Sequence, residues 1–456
     1  MKKILLLNPP TPAVEEPTVP PLGIAYIAAF LREKNIDVDI IDLDLEREKK
    51  DIISDYILAE NPDIVGISGL TIQMENVYRI AETLKKASHN IIVVAGGAHP
   101  SSLPEQTLKE GMGYIDIVVV GEGEHTLFDL AHHTSWEDIP GIVFIKNNQV
   151  HKNQHRKPIA DLDLLPFPAR DLLKMERYRG WGPLKNIPST HLIASRGCPF
   201  DCIFCSEKAV FGRNHRRRNP ERVVDEIEHL ICEYGVKEIS FYDDLFTLKK
   251  DWVVSVCDEI LRRGLKIDWK ALSRVDTVDY DMLKHMKESG CWILFYGFES
   301  GSQLILDNIQ KKQTVEQNVH AAELAKKAGI EIFGFFMLGN AGETEETVIQ
   351  TIKLARRIKP KHSQFTIVRP DPGSDLYNSH IQEINEKRIS WSEYYAFPKD
   401  TAKIPVVGTT MTVEKLLYFR HLALICMSRK ALLKLFVRTA LTFNIGQLKK
   451  IIKILF

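Results

Sequence analysis

The sequence predicts an α/β protein in which two parallel-sheet domains stand in series, followed by a basic helical tail. Three observations carry this. Short, continuously apolar segments alternate with amphipathic ones through residues 1–135, the pattern of a parallel sheet covered on both faces. A second series of about six strand–helix units begins at His191, the repeat of a parallel barrel. Three cysteines, Cys198, Cys202 and Cys205, follow the first strand of that second series. A chain of 456 residues has room for two or three domains.

The first strand runs from Ile4 to Asn8 and stops at Pro9-Pro10. Pro20-Pro21-Leu22-Gly23 then opens a helix reaching about Lys34. Strands follow at Val38–Leu43, Asp63–Ser68, Ile91–Gly97 and Ile115–Gly121, with helical stretches between them. Such sheets bind ligands in the crevice beyond the carboxyl ends of their strands. Here those ends read Ser68-Gly69-Leu70-Thr71, Gly96-Gly97-Ala98-His99-Pro100 and Gly121-Glu122-Gly123-Glu124. Small residues let a large, flat or phosphate-bearing ligand approach the backbone, although they serve a sharp turn equally well. No GxGxxG follows the first strand, which disfavours a dinucleotide.

Residues 136–188 read as a connector. Gly141–Ile145, Lys146-Asn147-Asn148-Gln149 and Val150-His151 form a hairpin, and Asp161–Pro168 a proline-punctuated linker. The second domain, 189–385, has strands near His191–Ser195, Glu238–Tyr242, Asp268–Leu272, Trp292–Gly297, Glu331–Leu338 and Gln364–Val368. Six units are too few for a closed eight-strand barrel, so an open partial barrel is predicted, with its chemistry at the strand C-termini. Residues 386–456 form the extension. After Glu414 it has no acidic residue, while Arg420, Arg429, Lys430, Lys434, Arg438, Lys449, Lys450 and Lys453 alternate with apolar groups. That pattern suits a peripheral contact with an anionic membrane surface, or a helix packed on the barrel with a solvated basic face.

Lys plus Arg and Asp plus Glu both number 60, so net charge makes no case for a nucleic-acid partner. The basic run Arg213–Arg218 lacks interleaved aromatic residues and reads mainly as solvated charge. The apolar run Ile4–Leu7 is too short for a signal peptide and no stretch is long enough for a membrane span. A cytoplasmic, reducing location is predicted, peripheral on the inner face of the membrane if the tail binds it. Seven cysteines in that compartment do not suggest a disulfide framework. Cys232, Cys257, Cys291 and Cys426 are scattered on apolar faces and read as core residues. The remaining CxxxCxxC has no second pair beside it for structural zinc. A cubane of four irons normally takes four protein ligands, so three leave one iron open to hold a small molecule and pass it an electron.

This cysteine loop resembles that of the radical S-adenosylmethionine enzymes. Together with Asn8-Pro9-Pro10, Pro21-Leu22-Gly23, Gly96-Gly97-x-His99-Pro100 and Gly121-Glu122-Gly123-Glu124, the chain from 1 to about 380 resembles their cobalamin-binding subfamily. The resemblance implies a Rossmann-like cobalamin domain followed by a partial (β/α)6 radical barrel. It implies a 4Fe–4S cluster on Cys198, Cys202 and Cys205, with S-adenosylmethionine and cobalamin as further cofactors. Phe204 would lie near the adenine. Asp243 or Asp244 would accept from the ammonium of S-adenosylmethionine, with a helix cap as the other use of either. Glu299 and Ser300 would reach its ribose or amino acid part, with a solvated loop carboxylate as the other use of Glu299, and Gly339 would lie close to the adenine. Read from its place after the third strand, Arg274 pairs with a carboxylate or serves a structural ion pair. Leu70, Thr71, Gly96, Gly97, His99, Gly121, Glu122 and Gly123 would surround the cobalamin.

The Asp-x-His-x-x-Gly motif of proteins that ligate cobalt through histidine is missing. His99, the only histidine at the strand ends, better suits a hydrogen bond or a helix start. The activity implied is methyl transfer to an unactivated carbon or phosphorus centre of a small-molecule or lipid-like substrate. It requires a reducing donor of the flavodoxin or ferredoxin type. Ring closure, ring rearrangement or oxidation with the same cofactors is the alternative. A cobalamin or redox sensor is a third reading, against which the complete cysteine triplet argues.

Overall fold

Two sheets, one in each half of the chain, turn their strand C-termini toward a common region. The computed structural model describes residues 2–12, 19–49, 51–133, 135–387, 389–394 and 406–428. The first sheet contains β1 (Ile4–Asn8), β2 (Val38–Asp42), β3 (Ile64–Ser68), β4 (Ile92–Gly96), β5 (Ile117–Val119), β6 (Ile142–Lys146) and β7 (Gln149–Lys152). Their spatial order is β2-β1-β3-β4-β5-β6-β7. The first five are parallel. Successive side chains of these apolar strands face opposite helix layers. Leu5, Leu7, Val65 and Ile67 enter one core, Ile4, Leu6 and Ile64 the other. The winding reverses between β1 and β3, the switch point at which such sheets leave a crevice.

The hairpin predicted within the connector instead completes this sheet. β6 pairs antiparallel with β5 through Ile117–Phe144 and Val119–Ile142, and β7 pairs with β6. Its turn residues Asn147 and Asn148 have φ of 51° and 59°, the left-handed pair of a two-residue hairpin turn.

The second sheet contains β8 (Ser189–Leu192) and, after a small ribbon of β9 (Ser195–Arg196) with β10 (Arg216–Arg217), β11 (Glu238–Phe241), β12 (Asp268–Ser273), β13 (Cys291–Glu299), β14 (Glu331–Leu338) and β15 (His362–Ile367). The six main strands lie side by side in chain order, all parallel. A sheet that winds one way without reversal, covered by helices on one face, is an open partial barrel. Its outer face packs Ile239, Phe241, Trp269, Leu294 and Phe336 under the helices. Local chemistry fixes the helix ends. In Pro220–Tyr234, Asn219 accepts from the Glu221 amide, Pro220 takes the first turn, and Gly235 (φ 61°) ends it.

The helix Val413–Met427 seats Leu416, Phe419 and Leu422 in the barrel's outer core. Arg420, on the same helix, donates from Nε to the Phe365 carbonyl at 2.9 Å. The cations from Arg429 onward lie outside the described residues. Among the described residues no helix is long and apolar enough to cross a membrane.

Candidate active site at the meeting of two strand rims

The loop carrying Cys198, Cys202 and Cys205 is clamped at both ends by carboxylates from the end of β11. Asp243 accepts from the Ala194 amide at 2.9 Å and from the Ser195 hydroxyl at 2.5 Å. Asp244 accepts from the Gly197 amide at 3.0 Å. Gly197 has φ of 88°, and a Cβ there would meet the Asn214 carbonyl oxygen at 2.5 Å, so the turn before Cys198 requires glycine. Neither aspartate caps the next helix. Asp244 also shares a hydrogen bond with Glu207. Crowding by protein and this like-charged neighbour push Glu207 up, to about 8, so the pair retains a proton near neutral pH.

Cys202 is buried and Cys198 and Cys205 partly so. Burial raises the Cys198 and Cys205 thiols, Cys205 to about 12, so each needs a metal or a strong donor to ionise. Among the described residues no three such side chains converge on a single metal ion. A cubane has its irons at separate corners and takes one soft thiolate at each of three of them, which suits the chemistry of this donor set.

Arg274, following β12, locks the far side of the loop. Its Nη1 stands 3.7 Å from Cys202 Sγ, and its guanidinium lies 3.7 Å over the Phe200 ring. Its other nitrogens bond Asp276 at 2.9 and 3.0 Å and the Lys311 carbonyl at 2.7 Å. The carboxylate it pairs with is therefore Asp276, two residues on.

The other rim residues singled out in the sequence are similarly engaged. Glu299, held at φ 59°, bonds Lys311 Nζ at 2.7 Å, and that ammonium lies 5.7 Å from the Phe204 ring centre. Ser300 bonds Thr351 at 3.0 Å and accepts from the Ser302 amide. Gly339 (φ 89°) does not face an open slot. A Cβ there would meet Leu416 at 2.9 Å, so its space is taken by the C-terminal helix. Its amide donates to Glu343, whose carboxyl burial pushes up to about 7.

The rim of the first sheet is open. A cleft passes between β1, β3, β4 and β5 at the switch point, about 740 Å³ when the solvent at its open mouth is included. It is lined by Leu6, Gly66, Gly96, Gly97, Gly121 and Gly123, with Glu122 among them. Side chains would fill it: a Cβ on Gly66 meets Leu6 at 2.8 Å, and one on Gly123 meets Ile27 at 2.8 Å. The barrel half supplies the opposite wall, Ile193, Arg196, Val210 and Phe211, the last two lying just beyond the cysteines. A flat, apolar portion of a larger molecule fits such a slot, which suits a corrinoid, whose polar rim would stay at the open mouth.

Leu70, Thr71 and His99 do not line this cleft. Leu70 is half exposed. His99 is buried, bonds Thr71 Oγ1 at 3.2 Å and meets the Trp391 ring edge-on at 4.6 Å. Burial pulls its pKa down to about 3, so it is neutral.

Sequence reasoning missed the seam between the halves. Arg196 Nη1 bonds Glu122 at 2.7 Å and Nη2 bonds Glu124 at 2.8 Å, all three buried. Arg216 adds a bidentate contact to Glu122 at 2.9 and 3.0 Å. Arg218 and Arg170 flank the buried Glu226. The run Arg213–Arg218 is thus largely structural rather than solvated. Glu122 lies 94 residues before Arg216, and no local signal joins them.

Two family models match the chain. The B12 binding domain covers residues 13–131 and the radical SAM superfamily covers residues 192–355. The uncharacterized methyltransferase PH0819 of Pyrococcus horikoshii is 40% identical over 400 residues, covering 86% of each chain. The anaerobic magnesium-protoporphyrin IX monomethyl ester cyclase of Rubrivivax gelatinosus is 31% identical over 85% of this chain and 70% of its own. Cytidylyl-2-hydroxyethylphosphonate methyltransferase of Streptomyces wedmorensis is 28% identical over 84% and 82%. In fold, the chain is similar to the radical S-adenosylmethionine methyltransferase TsrM of Kitasatospora setae, solved with cobalamin and a 4Fe–4S cluster bound. The TM-score is 0.69 at 18% identity, over 85% of this chain and 75% of that one.

Proposed function

The chain belongs to the cobalamin-binding radical S-adenosylmethionine family, and from that premise we propose that it is a methyltransferase acting on an unactivated centre of a small molecule. The observation that carries this reading is the shared wall. The segment leaving the cysteine triplet, Val210-Phe211, is also a wall of the first sheet's cleft. A site for electron delivery and a site for a methyl carrier thus adjoin, as transfer between them requires.

When bound, the cluster supplies the electron that splits S-adenosylmethionine, and the corrinoid supplies the methyl group. This chain's residues hold and orient. Cys198, Cys202 and Cys205 are the cluster ligands. Asp243, Asp244 and Arg274 fix their loop, and Arg274 places a positive charge against one ligand sulfur. Gly66, Gly96, Gly121 and Gly123 keep the corrinoid cleft clear. Electrons come from a reducing donor of the flavodoxin or ferredoxin type.

The cyclase relative, at 31% identity, favours a second reading in which the same cofactors close a ring without methyl transfer. Products decide between them. Air-free, reconstituted protein supplied with a reductant, S-adenosylmethionine and a metabolite extract forms S-adenosylhomocysteine together with 5'-deoxyadenosine if it transfers methyl groups. A cyclase forms the deoxyadenosine alone. Cys202→Ala abolishes 5'-deoxyadenosine in either case. A variant that still forms it at the wild-type rate overturns both readings.

A further inference from the structure

The concave face of the second sheet carries aromatic rings, partly exposed around a buried Phe295. Strand alternation sends Ile239, Phe241, Trp269, Leu294 and Phe336 to the helices. It sends Tyr242, Phe295, Phe333 and Phe335 to the lumen. Phe295 lies at the centre, with Phe333 stacked at 4.8 Å and 22° and Phe335 at 6.0 Å and 30°. Trp181, from the linker between the halves, stacks on the same ring at 4.9 Å and 29° and meets Tyr242 edge-on at 5.8 Å.

The rings form a small cluster around the buried Phe295 that leaves their outer faces partly accessible. Trp181, Phe333 and Phe335 keep part of their surface accessible, and Tyr242 is 42% exposed. Yet surrounding protein raises the Tyr242 hydroxyl above its ordinary pKa. Accessible but surrounded, it faces a concavity rather than open solvent.

The linker is anchored to form the floor of this lumen. Lys270, buried, donates to the carbonyls of Trp181 at 2.6 Å and Pro183 at 2.7 Å, and pairs with Glu238 at 2.9 Å. Glu238 in turn accepts from the amides of Lys185 and Asn186 at 2.6 and 2.9 Å. Gly182 lies against Phe295, where a Cβ would stand 3.4 Å from the ring. A buried ion pair that holds the backbone on both sides of Gly182 fixes the segment that carries the indole. The accessible faces of these rings favour a flat π-system laid against them over a flexible aliphatic chain, which would also lose rotor entropy on binding.

We infer that this lumen takes a substrate with a planar, conjugated or aromatic ring system, stacked among Trp181, Tyr242, Phe333 and Phe335 below the cysteine loop. The inference deepens the methyltransferase reading, and rests on it only in taking the cysteine loop as the reacting end.

The test uses the anaerobic holoenzyme with S-adenosylmethionine present, so that the corrinoid cleft is filled. The fluorescent planar probe 1-aminoanthracene is titrated in, then displaced with phenanthrene or with the acyclic alcohol farnesol. Saturable binding is expected, with phenanthrene displacing the probe at least tenfold better than farnesol. Phe335→Leu and Trp181→Leu retain apolar bulk but lose the ring, and each is expected to weaken probe binding about tenfold. Iron and corrinoid content per chain identify any variant that has lost its fold. Equal displacement by farnesol, or unchanged probe binding by both folded variants, overturns the assignment. A wild-type protein that binds the probe selectively but forms no 5'-deoxyadenosine keeps the lumen assignment and sinks the methyltransferase reading.

Discussion

The two strand rims use their residues in opposite ways. At the first rim the residues that matter are small, and what they contribute is space: Gly66, Gly96, Gly121 and Gly123 line an open cleft. At the second rim the residues are charged or polar, and nearly all are already engaged. Asp243 holds Ala194 and Ser195, Glu299 holds Lys311, and Arg274 holds Asp276 and the cysteine loop. An open rim admits a large rigid body. An engaged rim holds a reactive loop in one geometry. Polar residues at a barrel mouth thus act here largely through one another and through the loop they fix.

The seam tests this contrast most severely. Arg196→Leu leaves Glu124 buried without its cation and Glu122 with Arg216 alone, and loss of one partner of a buried pair costs about 3–5 kcal/mol. A drop in chemical-denaturation stability of that size is expected; a change under 1 kcal/mol would show the seam to be incidental.

Glu343 gives a pH-dependent probe of the engaged rim. Burial raises its pKa from 4.5 to about 7. The folded chain therefore keeps a proton that the unfolded chain releases. Stability is full below about pH 4.5 and falls as pH rises to 7, by up to about 3 kcal/mol from this group. Glu343→Gln should flatten that part of the melting-temperature profile, and an unaltered slope would place the titration elsewhere.

Gly96→Val probes the open rim. A Cβ there has its nearest neighbour at 3.8 Å, so the strand tolerates it, while the branched side chain enters the cleft. Corrinoid per chain should fall at least tenfold with iron content unchanged, as measured by absorbance and iron assay. Parallel loss of both would mean that the two rims are not independent.

The smallest effect belongs to Arg274→Lys. The charge remains, but the fork that bonds Asp276 and the plane that covers Phe200 are lost. Formation of 5'-deoxyadenosine should slow several-fold at full iron loading, with a shifted cluster potential in redox titration. Unchanged rate and potential would reduce Arg274 to a packing residue.

Much of the fold was legible because strands and helices declare themselves locally. Ile64–Ser68 and Ile92–Gly96 are apolar runs ending in small residues, and the six barrel strands lie close to their predicted places. The hairpin at 142–152 was visible, but its membership of the first sheet was not. Antiparallel addition to β5 depends on where the chain returns in space, which periodicity does not encode. At the site, spacing alone singled out the cysteines. The uses of Asp243, Glu299 and Gly339 were not legible, because their partners Ser195, Lys311 and Leu416 are supplied by other elements. Arg196 went unnoticed beside the motif for the same reason: what marks it is a pair of glutamates more than seventy residues earlier.

The cleft has walls from both halves, Leu6 and Gly66 on one side, Ile193 and Phe211 on the other. A molecule seated there acts as mortar as well as reagent. At a hundredfold excess over its dissociation constant it adds about 2.7 kcal/mol to the folded, joined state. Loading should therefore slow proteolytic nicking of the linker, so that corrinoid supply governs how long the chain lasts as well as how fast it turns over.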